Sequence, residues 1–291
     1  MVYTNHYPSK ETFEQLFYLI LSSHPSSLTL DPVFFPRQFT SRNDIEIAAF
    51  ISSLIAFGQV KTMNQKLDHF FSILGPSPSY FLRNFSKNTN LIKDTLFAWK
   101  YRFVSGKIML NLLKALSTLY ATYGSIEDLY LEEYLHSGDM WKANEQLINK
   151  IRGFIPASIL ENDKKTLNFL LPISKNTPMK RLNLFLRWMV RKDDFDLGLW
   201  HKIPREKLLV PLDTHVFRLA SQLFITKRKT PDRRACLEIT TFLKSIVPDD
   251  PLKFDMVFSH FGISRFCLHR FDAEKCTICP FQDVCVHATF S

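Results

Sequence analysis

Four of the five cysteines in this 291-residue chain lie within its last tenth, where their spacing suits metal ligation. They are Cys267, Cys276, Cys279 and Cys285, separated by eight, two and five residues. Thiolates concentrated in one short segment can close around a single iron-sulfur cluster or zinc ion, whereas a disulfide framework spreads its pairs over a small secreted fold. The segment therefore predicts one metal site, and four thiolates bind either metal. The fifth cysteine, Cys236, is predicted to be a buried apolar residue in a helix.

A carboxylate stands at the predicted start of a helix in the segment Pro-Leu-Asp-Thr-His-Val-Phe-Arg, residues 211–218. On the residues alone, Asp213 is most simply an N-cap that accepts hydrogen bonds from backbone N–H groups of the following turn. A carboxylate fixed in that way can also act on a substrate. Cleavage of an N-glycosidic bond develops positive charge on the sugar, and a negative charge held nearby stabilises that transition state.

A lysine stands at the start of another predicted helix, which reads Lys-Arg-Leu-Asn-Leu-Phe-Leu from residue 180. The simplest interpretation of a lone Lys180 is phosphate contact or solvent exposure. A lysine amine can also attack the anomeric carbon of a sugar and form a Schiff base, which permits strand cleavage by β-elimination. That chemistry requires a lowered lysine pKa, from desolvation or from a neighbouring cation such as Arg181.

Positive charge is concentrated in the stretch that contains both of these residues. The net charge of the chain is +9, and between Pro178 and Arg234 fourteen Lys or Arg stand against six Asp or Glu, which leaves +8 in that stretch. A solvated helix surface does not explain such an imbalance between segments. A polyphosphate partner, most simply nucleic acid, explains it better.

The elements that must position these residues are helices, because apolar residues recur with helical spacing through nearly the whole chain and strand signals are almost absent. Helices are predicted near 61–74, 139–153, 179–191, 214–224, 231–246 and 251–261. The predicted N-caps are Asp44, Ser125, Asp213 and Thr230, the last followed by Pro231. The predicted helix ends are Gly58, Gly75 and Gly124. Residues 156–178 are predicted to form a long irregular connection.

The composition excludes several classes of protein. The hydrophobic content of 46% predicts a substantial folded core. The eight glycines are too far apart for a P-loop or a dinucleotide-binding fingerprint. No apolar stretch approaches the roughly 20 residues that span a bilayer, and no secretion signal is recognisable. We therefore expect a cytoplasmic protein with no membrane partner, in a reducing compartment where clustered cysteines ligate metal.

The segment 212–218, followed some fifty residues later by the four cysteines, resembles the helix-hairpin-helix DNA glycosylase superfamily, of which endonuclease III is the closest familiar member. The family's Asp-Thr-His-x-x-Arg pattern is present here at residues 213–218. The resemblance implies an all-α, two-domain helical fold with a C-terminal four-cysteine metal loop. It implies a 4Fe-4S cluster as cofactor, with zinc as the alternative, and duplex DNA as partner. We expect a monomer.

The same resemblance assigns roles to single residues. It implies that Asp213 is the essential catalytic carboxylate and that Lys180 is the nucleophile of the bifunctional members. Gln59, which follows a predicted helix, is similar to the residue that fills the gap left by a flipped base. The further DNA contacts implied are Arg181, His215 and Arg218. The aromatic residues available to stack on a flipped base are Tyr101, Trp188, Phe195 and Trp200.

Two departures from the family pattern are visible. The residues before Lys180 are Asn-Thr-Pro-Met, where the family has a Pro-Gly-x-Gly turn whose amides grip a DNA phosphate. We expect an altered grip, with the charged insertion 191–207 as its substitute. The first cysteine spacing is eight residues where six is usual, a loop insertion that is easily tolerated.

The sequence thus predicts a base-excision repair glycosylase that removes a damaged base from duplex DNA, with a β-lyase step if Lys180 is a nucleophile. The separation of Lys180 from Asp213 is similar to that in archaeal 8-oxoguanine glycosylases, which makes an oxidised purine the expected lesion. Predicted domains are 44–191 and 1–43 plus 192–291, with both residues in the cleft between them. The alternatives are a non-catalytic nucleic-acid-binding protein with the same fold and metal loop, an enzyme acting on RNA, and a structural metal protein.

Overall fold

The computed structural model describes residues 9–23, 31–263 and 267–289. These residues are mostly helical, which confirms the all-α class. In chain order the helices are α1 (Lys10–Ser23), α2 (Arg42–Ile55), α3 (Val60–Leu74), α4 (Pro78–Arg83), α5 (Phe85–Ala98), α6 (Gly106–Tyr123), α7 (Ile126–Ser137), α8 (Met140–Gly153), α9 (Ala157–Asn162), α10 (Lys164–Leu170), α11 (Lys180–Val190), α12 (Thr214–Gln222), α13 (Arg233–Ile246), α14 (Asp255–Ile263), α15 (Ala273–Cys276) and α16 (Val286–Thr289). The strands β1 (Lys100–Tyr101) and β2 (Val104–Ser105) form an antiparallel hairpin in which Tyr101 pairs with Val104. Among the described residues, no helix combines the length and apolar character needed to cross a membrane.

The chain divides into two units. The central unit is Ser27–Pro204, and the split unit combines Met1–Ser26 with Arg205–Ser291. The central unit therefore extends beyond the predicted limits of 44 and 191 at both ends. The 3-10 turns between residues 32 and 38 contact α2, and a side chain at residue 200 is fixed in the core, so both flanking stretches fold with the central unit.

Helix α2 forms the middle of the central unit, and eleven of its residues are buried. It packs against α11, whose residues from Leu182 to Val190 are also buried. The rings of Phe50 and Phe185 meet edge to face across this contact, with centroids 5.2 Å apart. Full burial of such a side chain stabilises a fold by about 1.5 to 3 kcal/mol. The start of α11, which carries Lys180, is thus attached to a rigid helix pair.

One carboxylate inside this core connects several elements. Glu46 of α2 is 1% exposed. Its Oε2 accepts hydrogen bonds from the Tyr120 hydroxyl at 2.5 Å and from the backbone N–H of Ile126 at 2.8 Å. Its Oε1 accepts from the backbone N–H of Glu127 at 3.1 Å and from Trp200 Nε1 at 3.0 Å. Burial raises the pKa of Glu46, although all four donors favour its charged form.

The start of the charged insertion is folded around a buried ion-pair network. Arg187 Nε lies 3.2 Å from both carboxylate oxygens of Asp196, and the guanidinium of Arg191 also pairs with Asp196. All three side chains are at most 5% exposed. Arg191 Nη1 contacts Asp193 Oδ2 at 2.9 Å as well. Buried charges require this degree of pairing to offset desolvation, so these two arginines are engaged inside the protein and do not substitute for the missing phosphate grip.

The split unit is assembled around aromatic rings on α1, α13 and α14. The Phe13 ring meets Phe242 of α13 at 5.2 Å. The Phe17 ring meets Phe254 and Phe258 at 5.2 Å each. It also contacts Phe281 of the four-cysteine segment, residues 267–285, at a centroid distance of 6.0 Å. The N-terminal helix and the cysteine segment therefore share one apolar core.

Most predicted helices are confirmed within two residues at each end, as are the N-caps Ser125 and Asp213 and the helix ends at Gly75 and Gly124. Two predicted N-caps are wrong. Ser41, not Asp44, caps α2, because Asp44 is buried and accepts hydrogen bonds from the backbone N–H of Ser79 and the hydroxyl of Ser77. Asp232, rather than Thr230, caps α13.

Three predicted boundaries also need correction. The connection 156–178 is not irregular throughout, because it contains α9 and α10. The helix predicted from residue 251 begins at Asp255, after a turn. Gly58 does not end α2 directly, since Ala56 is the C-cap and Gly58 lies in the link to α3.

Candidate functional site

Lys180 is held against the turn that follows α2. Its Nζ donates a hydrogen bond to the carbonyl oxygen of Ala56 at 3.2 Å. Ala56 begins the 56–59 turn, four residues that end with Gln59, the N-cap of α3. Two of the regions that the sequence singled out, Lys180 and Gln59, are thus brought to the same part of the central unit.

The 56–59 turn is fixed from its other side by the β1–β2 hairpin. The Tyr101 hydroxyl donates a short hydrogen bond to the carbonyl of Phe57. Gly58 has φ +87°, and a Cβ at this position would come within 2.6 Å of the Tyr101 hydroxyl oxygen. The turn therefore requires glycine both for its backbone conformation and for the close approach of the hairpin.

Gln59 occupies an N-cap position without acting as a cap. Its side chain makes no capping hydrogen bond to the first turn of α3, and it is exposed. N-cap positions usually carry Ser, Thr, Asp or Asn, whose side chains accept from that turn. An exposed amide beside Lys180 is free of this local duty, which suits the predicted contact with a partner.

The backbone that leads into Lys180 is strained and tied down. Met179 has φ +51°, in the left-handed region that non-glycine residues rarely adopt. The next turn is anchored by Asn183, whose Nδ2 donates to the carbonyl of Pro178 at 3.0 Å. Asn183 Oδ1 accepts from Asn144 Nδ2 at 2.9 Å, and Asn144 Oδ1 accepts from the Tyr130 hydroxyl at 2.8 Å. This buried chain of hydrogen bonds fixes the start of α11, and sequence reasoning did not find it.

Arg181 is stacked inside the central unit. Its guanidinium carbon lies 3.5 Å from the ring centroid of Phe169 and 5.3 Å from that of Phe57, and Nη1 donates to the Phe169 carbonyl at 2.8 Å. Burial lowers the pKa of Arg181 to about 10, so it remains cationic at neutral pH. This placement favours a role in shaping the site next to Lys180 over the direct DNA contact that the resemblance implied.

The aromatic residues at the surface differ from those that the sequence suggested for stacking. Tyr101, Trp188 and Trp200 are each at most 2% exposed and belong to the core, while Phe195 is half-buried. Phe103, at the end of the hairpin, is 46% exposed, and its ring stacks on Phe57 at 5.4 Å with an interplanar angle of 22°. No periodicity signal distinguishes such a surface phenylalanine in a chain with 27 phenylalanines.

Asp213 is confirmed as the N-cap of α12, in the split unit. Its Oδ1 accepts from the backbone N–H groups of His215 at 2.9 Å and Val216 at 3.0 Å. The carboxylate is half-buried. Because two backbone donors fix it, the negative charge has a defined position at the start of the helix.

The apolar residues before Asp213 are anchored on α13. The backbone N–H of Val210 donates to the Thr240 hydroxyl at 3.0 Å, and the Cys236 thiol donates to the Val210 carbonyl at 3.3 Å. Cys236 is 0% exposed, as predicted, and burial raises its pKa to about 12, so it is a protonated donor. It has a positioning contact that its description as a merely apolar residue missed.

His215 and Arg218 lie on α12 with different environments. Arg218 is exposed. The His215 ring lies against that of His269, with centroids 6.0 Å apart, and its Nδ1 is buried without a hydrogen-bond partner among the described residues. Arg218 therefore suits a contact with an external partner, whereas His215 faces the four-cysteine segment.

The four cysteines line one pocket of about 380 Å³ that is partly open to solvent. Cys267 accepts from the backbone N–H of His269 and Cys276 from that of Asp272, each at 3.4 Å, and Cys279 accepts from a backbone N–H as well. Burial raises the pKa of Cys267, and that of Cys279 to about 11. A metal that binds here must displace thiol protons. Backbone N–H groups directed at sulfur suit thiolates that carry negative charge.

The arrangement of these thiols bears on which metal group fits. Among the described residues, no group of three or more His, Cys, Asp or Glu side chains is arranged to hold a metal ion. Around zinc, four thiolates at about 2.3 Å from the ion would be closely packed. A 4Fe-4S cluster keeps its thiolates further apart, because the cluster itself lies between them. Four cysteines around one shared pocket therefore fit the larger group better than a single ion.

The basic stretch is divided between internal pairs and surface charge. Besides Arg187 and Arg191, Arg205 pairs with Asp249 at 2.7 Å and Arg228 with Asp232 at 2.7 Å. The exposed basic residues of the split unit within the stretch include Lys207, Arg218, Lys227, Lys229 and Arg234. Positive surface charge is thus present on the unit that carries Asp213 and the cysteines.

Comparison with known proteins identifies the family. Residues 31–264 match the family described as Protein of unknown function (DUF2400). The chain belongs to this family. The DUF2400 match contains the 56–59 turn, Lys180 and Asp213, and it ends before Cys267. No curated protein and no solved structure matches the chain.

Proposed function

We propose that this DUF2400 protein is a DNA base-excision glycosylase that acts on a damaged base in duplex DNA. The observation that carries the proposal is the contact between Lys180 and the 56–59 turn. A glycosylase must extrude the target base and fill the gap that it leaves, close to the group that attacks the sugar. An exposed Gln59, on the turn that holds the Lys180 ammonium, supports both tasks.

Lys180 is the proposed nucleophile. A neutral amine that donates one N–H to the Ala56 carbonyl keeps its lone pair for the anomeric carbon. Attack forms the carbon–nitrogen bond to Lys180 as the bond to the base breaks, and loss of a proton then gives the Schiff base. The cationic Arg181 next along the helix disfavours a second positive charge nearby, which favours the neutral amine.

Asp213 is the proposed electrostatic group. Its Oδ1 is preorganised by two backbone donors, so the carboxylate needs no rearrangement when positive charge develops on the sugar. Exposed basic residues such as Arg218 would contact DNA phosphates and supply affinity that depends on salt. An oxidised purine remains the proposed lesion, on the similarity to archaeal 8-oxoguanine glycosylases.

A 4Fe-4S cluster is the proposed cofactor. Cys267, Cys276, Cys279 and Cys285 would hold it, and the pocket that they share supports this ligand set. When bound, the cluster supplies structural cross-linking of the segment rather than chemistry on the base. Anaerobic purification followed by iron, sulfide and zinc analysis tests the assignment, and stoichiometric zinc without sulfide would contradict it.

Borohydride trapping on duplexes that carry single damaged bases or an abasic site tests the enzymatic proposal. We expect a covalent adduct with the unaltered protein, no adduct with Lys180→Ala, and slower base release with Asp213→Asn. Lys175→Ala is a matched control, because Lys175 is an exposed lysine just before α11. Tight DNA binding without adduct or base release on any duplex would overturn the proposal and favour the non-catalytic nucleic-acid-binding protein.

A further inference from the structure

Helix α12 contacts the four-cysteine segment at both of its ends. His215 is in its first turn and Gln222 is its last residue. Seven residues are close to two helical turns of about 3.6 residues each, so both side chains lie on one face. His269 meets both: its ring lies 6.0 Å from that of His215, and its Nδ1 lies 3.1 Å from Gln222 Oε1. The residue two positions after Cys267 therefore lies along the helix that begins at Asp213.

The Gln222 amide is also in contact with a cysteine of the proposed ligand set. Its Oε1 lies 3.7 Å from Cys267 Sγ, which is 3.8 Å from His269 Nδ1. Gln222 is 6% exposed, so its polar atoms depend on these neighbours. His269 has φ +56°, a left-handed conformation that costs about 1 kcal/mol for a non-glycine residue. The fold therefore maintains this triangle against a local backbone preference.

The hydrogen-bond chemistry of the triangle depends on the protonation of Cys267. With the carboxamide oxygen directed at both neighbours, the thiol donates through S–H and the imidazole donates through Nδ1–H. A cysteine that ligates a metal has released its proton to solvent and accepts hydrogen bonds only. The favourable amide orientation then reverses, and Gln222 donates N–H to sulfur. The amide end that faced His269 Nδ1 now requires an acceptor there, which places the single ring proton on Nε2.

The far side of the histidine pair is prepared for such a reversal. His269 Nε2 and His215 Nδ1 are both buried and have no hydrogen-bond partner among the described residues. A buried, unpaired nitrogen costs free energy in the arrangement in which it is unpaired. A proton that moves to His269 Nε2 changes what is available to its neighbour His215, whose own backbone N–H donates to Asp213.

We propose that Gln222 is a positioning residue that transmits the ligation state of Cys267 to α12 and so to Asp213 at its start. The inference rests on the proposed metal site. When Cys267 is ligated, the Gln222 N–H bond to the thiolate attaches the end of α12 to the metal segment. When Cys267 is a free thiol, only weaker neutral contacts remain, since hydrogen bonds to charged groups are the stronger ones.

Hydrogen exchange of α12, followed by mass spectrometry on the full chain, tests this role. Protein purified anaerobically with its metal is compared with the same protein after chelation. In the unaltered protein we expect metal removal to speed amide exchange in Thr214–Gln222 about tenfold, the effect of losing one charge-assisted hydrogen bond. In Gln222→Met, which keeps the side-chain length, exchange should already be fast with metal bound.

Gln282→Met is the matched control, because Gln282 is exposed and lines the same pocket. It should behave as the unaltered protein does. Gln222→Glu provides a second test if the methionine variant does not fold: a carboxylate can only accept, so it should release metal faster to a chelator. Protection of α12 in metal-loaded Gln222→Met equal to that in the unaltered protein would overturn the inference alone. A segment that takes up no metal would overturn both the inference and the proposed cofactor, whereas the borohydride result bears only on the reaction.

Discussion

The ammonium group of Lys180 donates a hydrogen bond to the carbonyl oxygen of Ala56, a residue 124 positions earlier in the chain. Ala56 is the C-cap of α2, the most deeply buried helix of the central unit. The position of the amine is thus fixed by a rigid element and not by a loop of its own. Reactive groups held on rigid elements keep their geometry better than groups on loops.

Replacement of Gly58 should disrupt the turn that holds Lys180. Gly58→Ala combines a positive φ with a contact of 2.6 Å to the Tyr101 hydroxyl, and we expect it to lower the free energy of unfolding by about 2 to 4 kcal/mol. Gly75→Ala is the control, since Gly75 has φ +80° but nothing within 4 Å of the added Cβ. Urea unfolding measures both, and equal losses would show that the hairpin contact is unimportant.

Loss of the buried amide chain should destabilise the start of α11. Asn183→Leu removes both hydrogen bonds of a side chain that is 1% exposed, and we expect a cost of about 2 to 4 kcal/mol. Asn111→Leu, at an exposed position on α6, should change the free energy of unfolding by about 0.5 kcal/mol or less. If thermal unfolding finds the two variants alike, the network does not fix α11.

The buried Glu46 carboxyl should give the protein a distinctive dependence on pH. Because burial raises its pKa in the folded state, the folded protein binds this proton more tightly than the unfolded chain does. The stability that this group contributes is therefore greatest below the unfolded value of 4.5 and declines as pH rises through the raised folded pKa. The difference in unfolding free energy between the unaltered protein and Glu46→Gln, measured by urea at a series of pH values, should change in this window. A difference independent of pH would contradict the prediction.

Arg218→Ala should weaken DNA binding equally for all sequences and reduce the slope of log affinity against log salt by about one, as expected for the loss of one phosphate contact. Arg205→Ala is the matched control, because Arg205 is also a surface arginine of the split unit but is paired with Asp249. Titration of labelled duplexes at several salt concentrations gives both slopes. An unchanged slope for Arg218→Ala would exclude α12 from the DNA contact.

The helices were predictable because their information is local. Apolar spacing and caps such as Ser125 and Asp213 lie within a few residues of the element that they define. Where two suitable caps compete, local information fails. Ser41 and Asp44 are both good N-caps, and the choice between them depends on Ser77 and Ser79, which are distant in the sequence.

The components of the candidate site were also visible in the sequence, but its arrangement was not. Lys180, Asp213 and the cysteines were recognisable by type, spacing and resemblance. The contact of Lys180 with Ala56 depends on the packing of α11 against α2, and the stacking of Arg181 on Phe169 depends on α10, which was not predicted. Such long-range contacts have no signature in a single sequence.

The composition of the split unit has a consequence for the order in which the protein is completed on the ribosome. Phe17 of α1 is made early, yet its partners Phe254, Phe258 and Phe281 emerge more than two hundred residues later. The residues of the central unit are contiguous, so it can form during synthesis, whereas α1 must wait with its apolar face unmatched. The unit that carries Asp213 and the cysteines is therefore the last to form, and a nascent chain acquires its carboxylate and its thiols in place only when translation is nearly finished.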